Sequence, residues 1–399
     1  HRACARLKID LNASRVVNRN SSIQYMIDGM PTTQTGSFTM TTISLGTAFQ
    51  GSGNADNGYN SAAFEKFVSL LDSYRSVVES RYKGAIYPSG TGDYAGKPFD
   101  TANGTVERFS ADVMIPAFLN AYTNNTGFDI FPALKRMLPN WSVTYGGLSK
   151  LNAMKRIFKS FNLNHAYKSI YTVGSYNTFT TYQEYMAGVG FINDVATGAP
   201  IPSSMYDIST VSIKESFSPL FGIDMTFQNS LTAKVEYRKT RVLTLSMTSL
   251  QLSETCSNDF VIGMGYKIAD LNLFAPKKSV HRAPNSRKNL GDDEDEEGNK
   301  SQSNIQGANK GFPHSLNLRL DISFRNQSAI TRDISTLLSQ ATSGNQAVQI
   351  SFSADYALSK FLTLSAYYDR QMNKPLLTAS SYPVTTQDFG INLKFMLNR

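Results

Sequence analysis

The chain has 399 residues, 39 of them basic and 31 acidic, with a net charge of +8 and a mean hydropathy of −0.27. Only 18% are charged, below the roughly 25% usual for soluble domains, and Phe and Tyr number 24 and 20 against a single Trp. The longest wholly apolar run, Val113–Leu119, excludes spanning helices, which need about 20 such residues, and a hydrophobic content of 41% excludes disorder over most of the length.

Two classes remain, a soluble globular protein and a membrane β-barrel, whose hydrophobicity hides in alternation. The chain opens His1-Arg2-Ala3-Cys4 without an initiator methionine, and a strand-like pattern starts at Leu7. It reads as a piece of something longer.

In chain order, Leu7, Ile9, Leu11 and Ala13 alternate with Lys8, Asp10, Asn12 and Ser14, and a second strand is predicted near 35–47. Residues 48–140 break the pattern. Phe64, Phe67, Leu70, Leu71, Tyr74, Val77 and Val78 fall at helical spacing within 61–83, and 110–123 predicts a second helix interrupted or started by Pro116. Strands resume near 141–149, 160–175, 206–217, 219–228, 231–238, 241–251 and 258–272, with a weaker candidate at 177–190. Residues 275–313 run basic, then acidic from Asp292 to Glu297, then Ser/Asn/Gly-rich, the composition of a solvated loop. The last strands are predicted at 316–324, 348–356, 361–372 and 386–397, with a weak one at 328–338. About fourteen strands of about ten residues suit tilted membrane strands. Counting back from the last strand puts short turns at 228–230, 252–258, 325–329 and 358–360 on one side. Long connections at 273–313 and 373–385 fall on the other, together with the helical insertion, which is the expected asymmetry of a barrel.

A finer pattern favours a membrane wall over a sandwich. Phe221-Ile223-Met225-Phe227, Phe260-Ile262-Met264-Tyr266 and Phe389-Ile391-Leu393-Phe395 place aromatics at both ends of an aliphatic stretch, as expected where strands cross two interfaces. With Leu318 and Leu320, these are the candidate lipid-facing residues. Asp224, Asn317, Arg319, Asp321, Gln349 and Ser351 alternate with such positions and are the candidate lumen-facing residues.

No catalytic, cofactor or metal site is expected. Gly90 to Pro98 fails as a phosphate loop, because Thr91 stands where a Gly is needed and Pro98 replaces the metal-binding hydroxyl. Asp293-Glu294-Asp295-Glu296-Glu297-Gly298 starts like a calcium loop but reaches Asn304 where the bidentate Glu belongs. His1, His165, His281 and His314 share no ligand spacing, and His165 reads as a structural residue. Cys256 reads as an inert thiol in a short turn, and the diffuse positive charge carries no nucleic-acid motif.

Several longer segments carry a resemblance. They are Pro139-Asn140-Trp141-Ser142-Val143-Thr144-Tyr145-Gly146-Gly147-Leu148, and Phe158-Lys159-Ser160-Phe161-Asn162 with His165, Tyr167, Tyr171 and Val173-Gly174-Ser175-Tyr176. Tyr206-Asp207-Ile208-Ser209-Thr210-Val211 follows, with Glu215, Phe217-Ser218-Pro219-Leu220 and Gly222-Ile223-Asp224. The set is completed by Phe352-Ser353-Ala354-Asp355-Tyr356-Ala357-Leu358-Ser359 and Phe389-Gly390-Ile391-Asn392-Leu393-Lys394-Phe395. Together they resemble the C-terminal part of the SprA/Sov family, the giant outer-membrane translocons of type IX secretion, tied in many members to gliding motility. The likeness is weakest over 48–105 and 275–313.

The resemblance implies a single-chain barrel of unusual size at the cell surface, of which this chain is the closing arc. It implies passage of folded cargo bearing a C-terminal sorting domain, and work with a PorV-type shuttle barrel and a periplasmic plug protein. It carries no catalytic residues. The ending Leu397-Asn398-Arg399 departs from the terminal aromatic of many barrels. A self-contained barrel for small solutes and a soluble β-rich adhesin are the alternatives.

Overall fold

The computed structural model describes residues 7–22, 33–100, 106–186, 188–269, 271, 314–359, 361–377 and 382–396. Its strands are β1 (Leu7–Asn12), β2 (Arg15–Ser22), β3 (Thr33–Thr41), β4 (Asn140–Tyr145), β5 (Phe158–Thr178), β6 (Gln183–Met186), β7 (Val189–Asn193) and β8 (Pro200–Ser203). They continue with β9 (Tyr206–Ile208), β10 (Thr210–Phe227), β11 (Leu231–Ser246), β12 (Gln251–Ala269), β13 (Ser315–Asp333), β14 (Ser339–Ala357), β15 (Leu362–Pro375) and β16 (Val384–Phe395). The helices are α1 (Ala62–Arg81), α2 (Ala111–Thr123) and the single turn α3 (Asn152–Lys155). No helix among the described residues is long and apolar enough to cross a membrane.

Thirteen strands form one antiparallel sheet, and β6–β8 form a separate sheet of three. From β10 to β16 each strand pairs with its successor. β5 is the organising strand on the other side. One of its edges carries β10 and, beyond it, β9, while the other carries β4 and β3 end to end. Thr41 ends β3 opposite Ile170, and Trp141 in β4 lies opposite Tyr167. β3 and β4 are therefore two halves of one row of the sheet, interrupted by residues 42–139. β1 and β2 form the outermost row in the same way, against β4 and β3. Among the described residues this row has no partner beyond it and neither does β16, so the sheet does not close.

From β10 onward the strands are fewer and longer than their apolar alternation predicts. β10 joins the greater part of 206–217, whose first residues form β9, to 219–228 with a register shift between Phe217 and Phe221, and β11 joins 231–238 to the start of 241–251. The turns expected at 252–258 and 325–329 lie inside β12 and β13, where Asn258 faces Asn326 across an unbroken ladder. Backbone pairing continues through these polar stretches because the ladder needs only main-chain partners, whereas the alternation reports where one face is apolar. The extra turn counted at 325–329 also inverts the predicted sidedness. The β12–β13 connection leaves from the same end as the short β14–β15 turn and the end of β16. There Leu271 N donates to His314 O at 3.0 Å. Short and long connections thus occur at both ends, and the expected asymmetry does not hold. The charged block 275–313 lies outside the described residues. The weak candidate 177–190 splits into the end of β5 and the β6–β7 hairpin, and 328–338 divides between β13 and the turn to β14.

The helical insertion is not a loop at a strand end. It leaves the sheet in mid-row and lies against one face. α1 presents Phe67, Leu71, Tyr74 and Val78 at helical spacing to α2, with Phe67 edge-on to Phe118 at 6.2 Å. The middle of α2 is apolar on all sides, as an enclosed helical segment must be, and Val113 through Leu119 are buried. It runs through Pro116 rather than breaking or starting there, because enclosure of the whole turn outweighs one lost backbone bond. The core continues from these helices onto Phe38, Met40, Tyr171, Val173, Val211, Ile213, Leu243, Leu245 and Leu252 of the sheet.

Candidate functional site

Side chains alternate across a strand, so register fixes which residues share a face. β11, β12 and β13 pair without a slip over their full lengths. Odd residues of β11 therefore share a face with even residues of β12 and β13. Following the ladders outward, Phe221, Ile223 and Met225 meet Tyr237, Val235 and Ala233, and Phe227 follows by alternation. Phe260, Ile262, Met264 and Tyr266 meet Phe324, Ile322, Leu320 and Leu318. Phe389, Ile391, Leu393 and Phe395 meet Tyr368, Ala366, Leu364 and Leu362, which continue the same face through β14. All fourteen apolar candidates thus lie on one face. Asp224, Asn317, Arg319, Asp321, Gln349 and Ser351 lie on the other, where Asp321 faces Ser351 and Ser323 faces Gln349.

The apolar face has two halves along its strands. In the half holding these candidates, large apolar side chains are bare: Met264 is 47% exposed, Ile391 74% and Phe389 80%. An aromatic row bounds this band, because Phe221, Tyr237, Phe260 and Phe324 are successive register partners across four strands. A second row, Phe352, Tyr368 and Phe389, continues it on β14–β16, displaced along the strands. Beyond the first aromatic row comes a polar one, Lys239, Asn258, Asn326 and Gln346.

The other half of the same face is covered by the insertion, and buried charge fastens it there. Arg241, Glu254 and Arg332, from three neighbouring strands, are nearly inaccessible, with Arg332 at 0%. Glu254 accepts from Arg241 Nε at 2.8 Å and from Arg332 Nη1 at 2.7 Å. Both arginines then reach into the insertion. Arg241 Nη1 donates to Thr47 O at 2.8 Å, and Arg332 Nη2 donates to Ser52 O at 2.6 Å. Each guanidinium also lies over an aromatic ring of the insertion, Tyr122 for Arg241 and Phe64 for Arg332. At the root, Tyr167 Oη donates to Glu215 Oε1 at 2.7 Å and accepts from Ser44 N at 2.9 Å.

The polar face is laced with charges of both signs. Lys234 pairs with Glu236 at 2.7 Å, Arg319 with Asp321 at 2.6 Å and Arg325 with Asp259 at 3.0 Å. Asn164 donates to Asp224 at 2.5 Å. An open depression of about 670 Å³ lies on this face, lined by Asp224, Lys234, Arg319, Asp321 and Asp355 among others. Among the described residues every ion pair of the sheet is on this face, apart from the two made by Glu254.

Sequence reasoning missed Tyr237 and Phe324 in the aromatic row, and the whole Arg241–Glu254–Arg332 cluster. The cluster left a signal: each member sits on the apolar phase of its strand, Arg241 with Leu243, Glu254 with Leu252 and Arg332 with Ile330. Cys256 is not in a turn. It lies within β12, its thiol 3.7 Å from Glu254 Oε1. His165 Nδ1 lies 2.6 Å from Leu220 O, beside the register shift of β10. Thr91, within the glycine-rich stretch, donates to Thr197 O at 2.6 Å. Among the described residues no three His, Cys, Asp or Glu side chains converge as a metal site would require. Cys4, His1, His281 and 293–298 lie outside the described residues.

Set beside known proteins, the chain matches no family model and no curated protein sequence.

Proposed function

We propose that this chain is an arc of the wall of a large outer-membrane β-barrel, with the apolar face toward lipid and the polar face toward a water-filled lumen. The observation that carries this reading is the bare apolar band edged by an aromatic row, directly opposite a face of mixed charge. Soluble proteins rarely leave contiguous apolar patches larger than a few hundred Å² uncovered. Membrane strands require such a band, with aromatic girdles at its edges. The displaced second aromatic row is in keeping with strand tilt, since a horizontal line across tilted strands steps along them. Two edges unpaired among the described residues fit a piece of a larger wall better than a self-contained barrel for small solutes, in which the first and last rows would pair.

The sharper reading rests on the resemblance to SprA/Sov translocons. It makes the arc part of a protein-conducting channel of type IX secretion that passes folded cargo to the cell surface. Its partners would be a PorV-type shuttle barrel, a periplasmic plug protein and cargo with a C-terminal sorting domain. The paired charges of both signs on the polar face suit a hydrated wall to which cargo does not adhere. Neither cofactor nor catalytic step enters this reading. Deleting the chain from Leu316 onward should abolish surface delivery of cargo, and normal secretion would overturn the proposal. A soluble adhesin would instead be stripped from membranes by carbonate, whereas the barrel should need detergent.

A further inference from the structure

The insertion leaves the sheet on the apolar-phase face, and its root meets the sheet close to the edge of the bare band. Trp141 of the root lies opposite Tyr167, which lies opposite Phe217, and Phe217 lies opposite Lys239 of the polar row. Lys239 is two residues beyond Tyr237 of the aromatic row, which is about 7 Å along a strand. The headgroup layer outside a hydrocarbon core is about 5–7 Å deep on each side.

Both root segments expose apolar side chains, and Phe49 does so at this level. On the outgoing segment are Leu45 and Phe49, and on the returning segment are Leu134 and Leu138. Phe49 packs on Phe217 at 5.3 Å, yet remains 59% exposed. Lys239 Nζ lies 5.0 Å from the Phe49 ring centroid, and the exposed Lys135 sits next to Leu134. Leu138 N donates to Thr41 O at 3.4 Å, which ties the returning segment to the outgoing one. None of the four belongs to the buried core that α1 and α2 build with the sheet. Their composition, apolar with adjacent lysines, is that of elements resting in a membrane interface.

We propose that this collar, Leu45, Phe49, Leu134 and Leu138, rests in the headgroup layer of the bilayer that the strands cross, with Lys135 and Lys239 meeting lipid phosphates. The occupant follows from continuity: at Phe49, beside Phe217 and Lys239, the collar begins where the bare band ends. The insertion is then held from two sides, by the buried arginines on the wall and by lipid beneath. This inference rests on the membrane reading above, and the test separates the two.

The full chain with Trp141→Phe, which removes its one tryptophan, is reconstituted in vesicles of phosphatidylglycerol and phosphatidylcholine brominated near the headgroup end of the acyl chains. Single tryptophans are introduced as Phe49→Trp in the collar, Met264→Trp in the band, and Val195→Trp in the fully exposed β7–β8 turn. Leu138→Trp repeats the collar measurement on the returning segment, so that local misfolding at one site cannot decide the outcome. Bromolipid should quench both collar tryptophans by about two-fold or more, quench Met264→Trp, and leave Val195→Trp unchanged. Quenching of Met264→Trp with both collar tryptophans as bright as Val195→Trp would overturn the collar and leave the membrane reading standing. Absence of quenching at Met264→Trp would overturn both.

Discussion

The two halves of the apolar-phase face are built on the same strands and finished in opposite ways. In one half the sheet buries its side chains under a helical insertion and accepts three buried charges to hold it. In the other, Phe, Ile, Leu and Met stand bare behind an aromatic row. A fold that lives in water must cover an apolar sheet face with something. The covered half shows that this chain does so with helices where it needs to, and the bare half is apolar in the same phase with none of the described residues upon it. The difference is understandable if protein covers one half and lipid the other.

The comparison breaks most sharply at the buried charges. Removing one partner of a buried ion pair leaves the other uncompensated, at about 3–5 kcal/mol. Glu254→Ala, which leaves Arg241 and Arg332 buried side by side with no carboxylate between them, should therefore release the insertion from the wall, read as fast proteolysis and hydrogen exchange around Ser52 and Tyr59, whose carbonyls accept from Arg332, with the bare half of β12 unaffected. Unchanged protection would mean that apolar packing alone holds the insertion. In the bare half, Leu320→Arg should cost about 2–4 kcal/mol in a membrane-insertion assay if the residue lies near the midplane, while Asp321→Arg next to it should be tolerated. Equal tolerance at both positions would erase the distinction between faces.

The covered half should also respond to pH. Burial pushes the Asp112 carboxyl in the first turn of α2 up to about 6, and the Arg81 guanidinium pulls it only partly back. The uncharged form is thus favoured in the folded insertion. Its packing should be strongest near pH 4 and weaken as pH rises through about 6, by up to about 3 kcal/mol. Asp112→Asn should flatten that part of the profile in urea-dependent proteolysis, and an identical profile in the variant would contradict the assignment. The smallest effect is expected at the root, where Ser44→Ala removes a hydroxyl shared with Tyr167 and Ser169. It should cost about 1 kcal/mol, read as a modest rise in exchange at Ser169.

The bare half was legible in the sequence because its signal is local. Alternation within a segment such as Leu316 to Phe324 puts like residues on one face, whatever the neighbouring strands do. The helices of the insertion were legible for the same reason, in the spacing of Phe67, Leu71, Tyr74 and Val78. The covered half was not legible. Its strands pass through Arg238 to Arg241, Ser253 to Asn258 and Arg325 to Ser328, where alternation falters and turns were expected instead. Those residues are polar because the edge of the band, the buried cluster and the insertion lie there, and these arrangements join positions up to 280 residues apart. The aromatic row was half visible. Each pair of aromatics shows in its own strand, but their alignment depends on register, which the alternation within one strand does not contain.

The central claim is that the bare half faces lipid, and a nitroxide scan along β13 tests it most directly. Single labels at each residue from Leu316 to Arg332 of the membrane-embedded chain are read for access to oxygen, which partitions into lipid, and to a soluble nickel chelate. Even-numbered positions from Leu316 to Phe324 should favour oxygen, and odd-numbered ones the chelate. Ile330 and Arg332, under the insertion, should be shielded from both. Chelate access at Leu318, Leu320 and Ile322 equal to that at Arg319 and Asp321 would contradict the account.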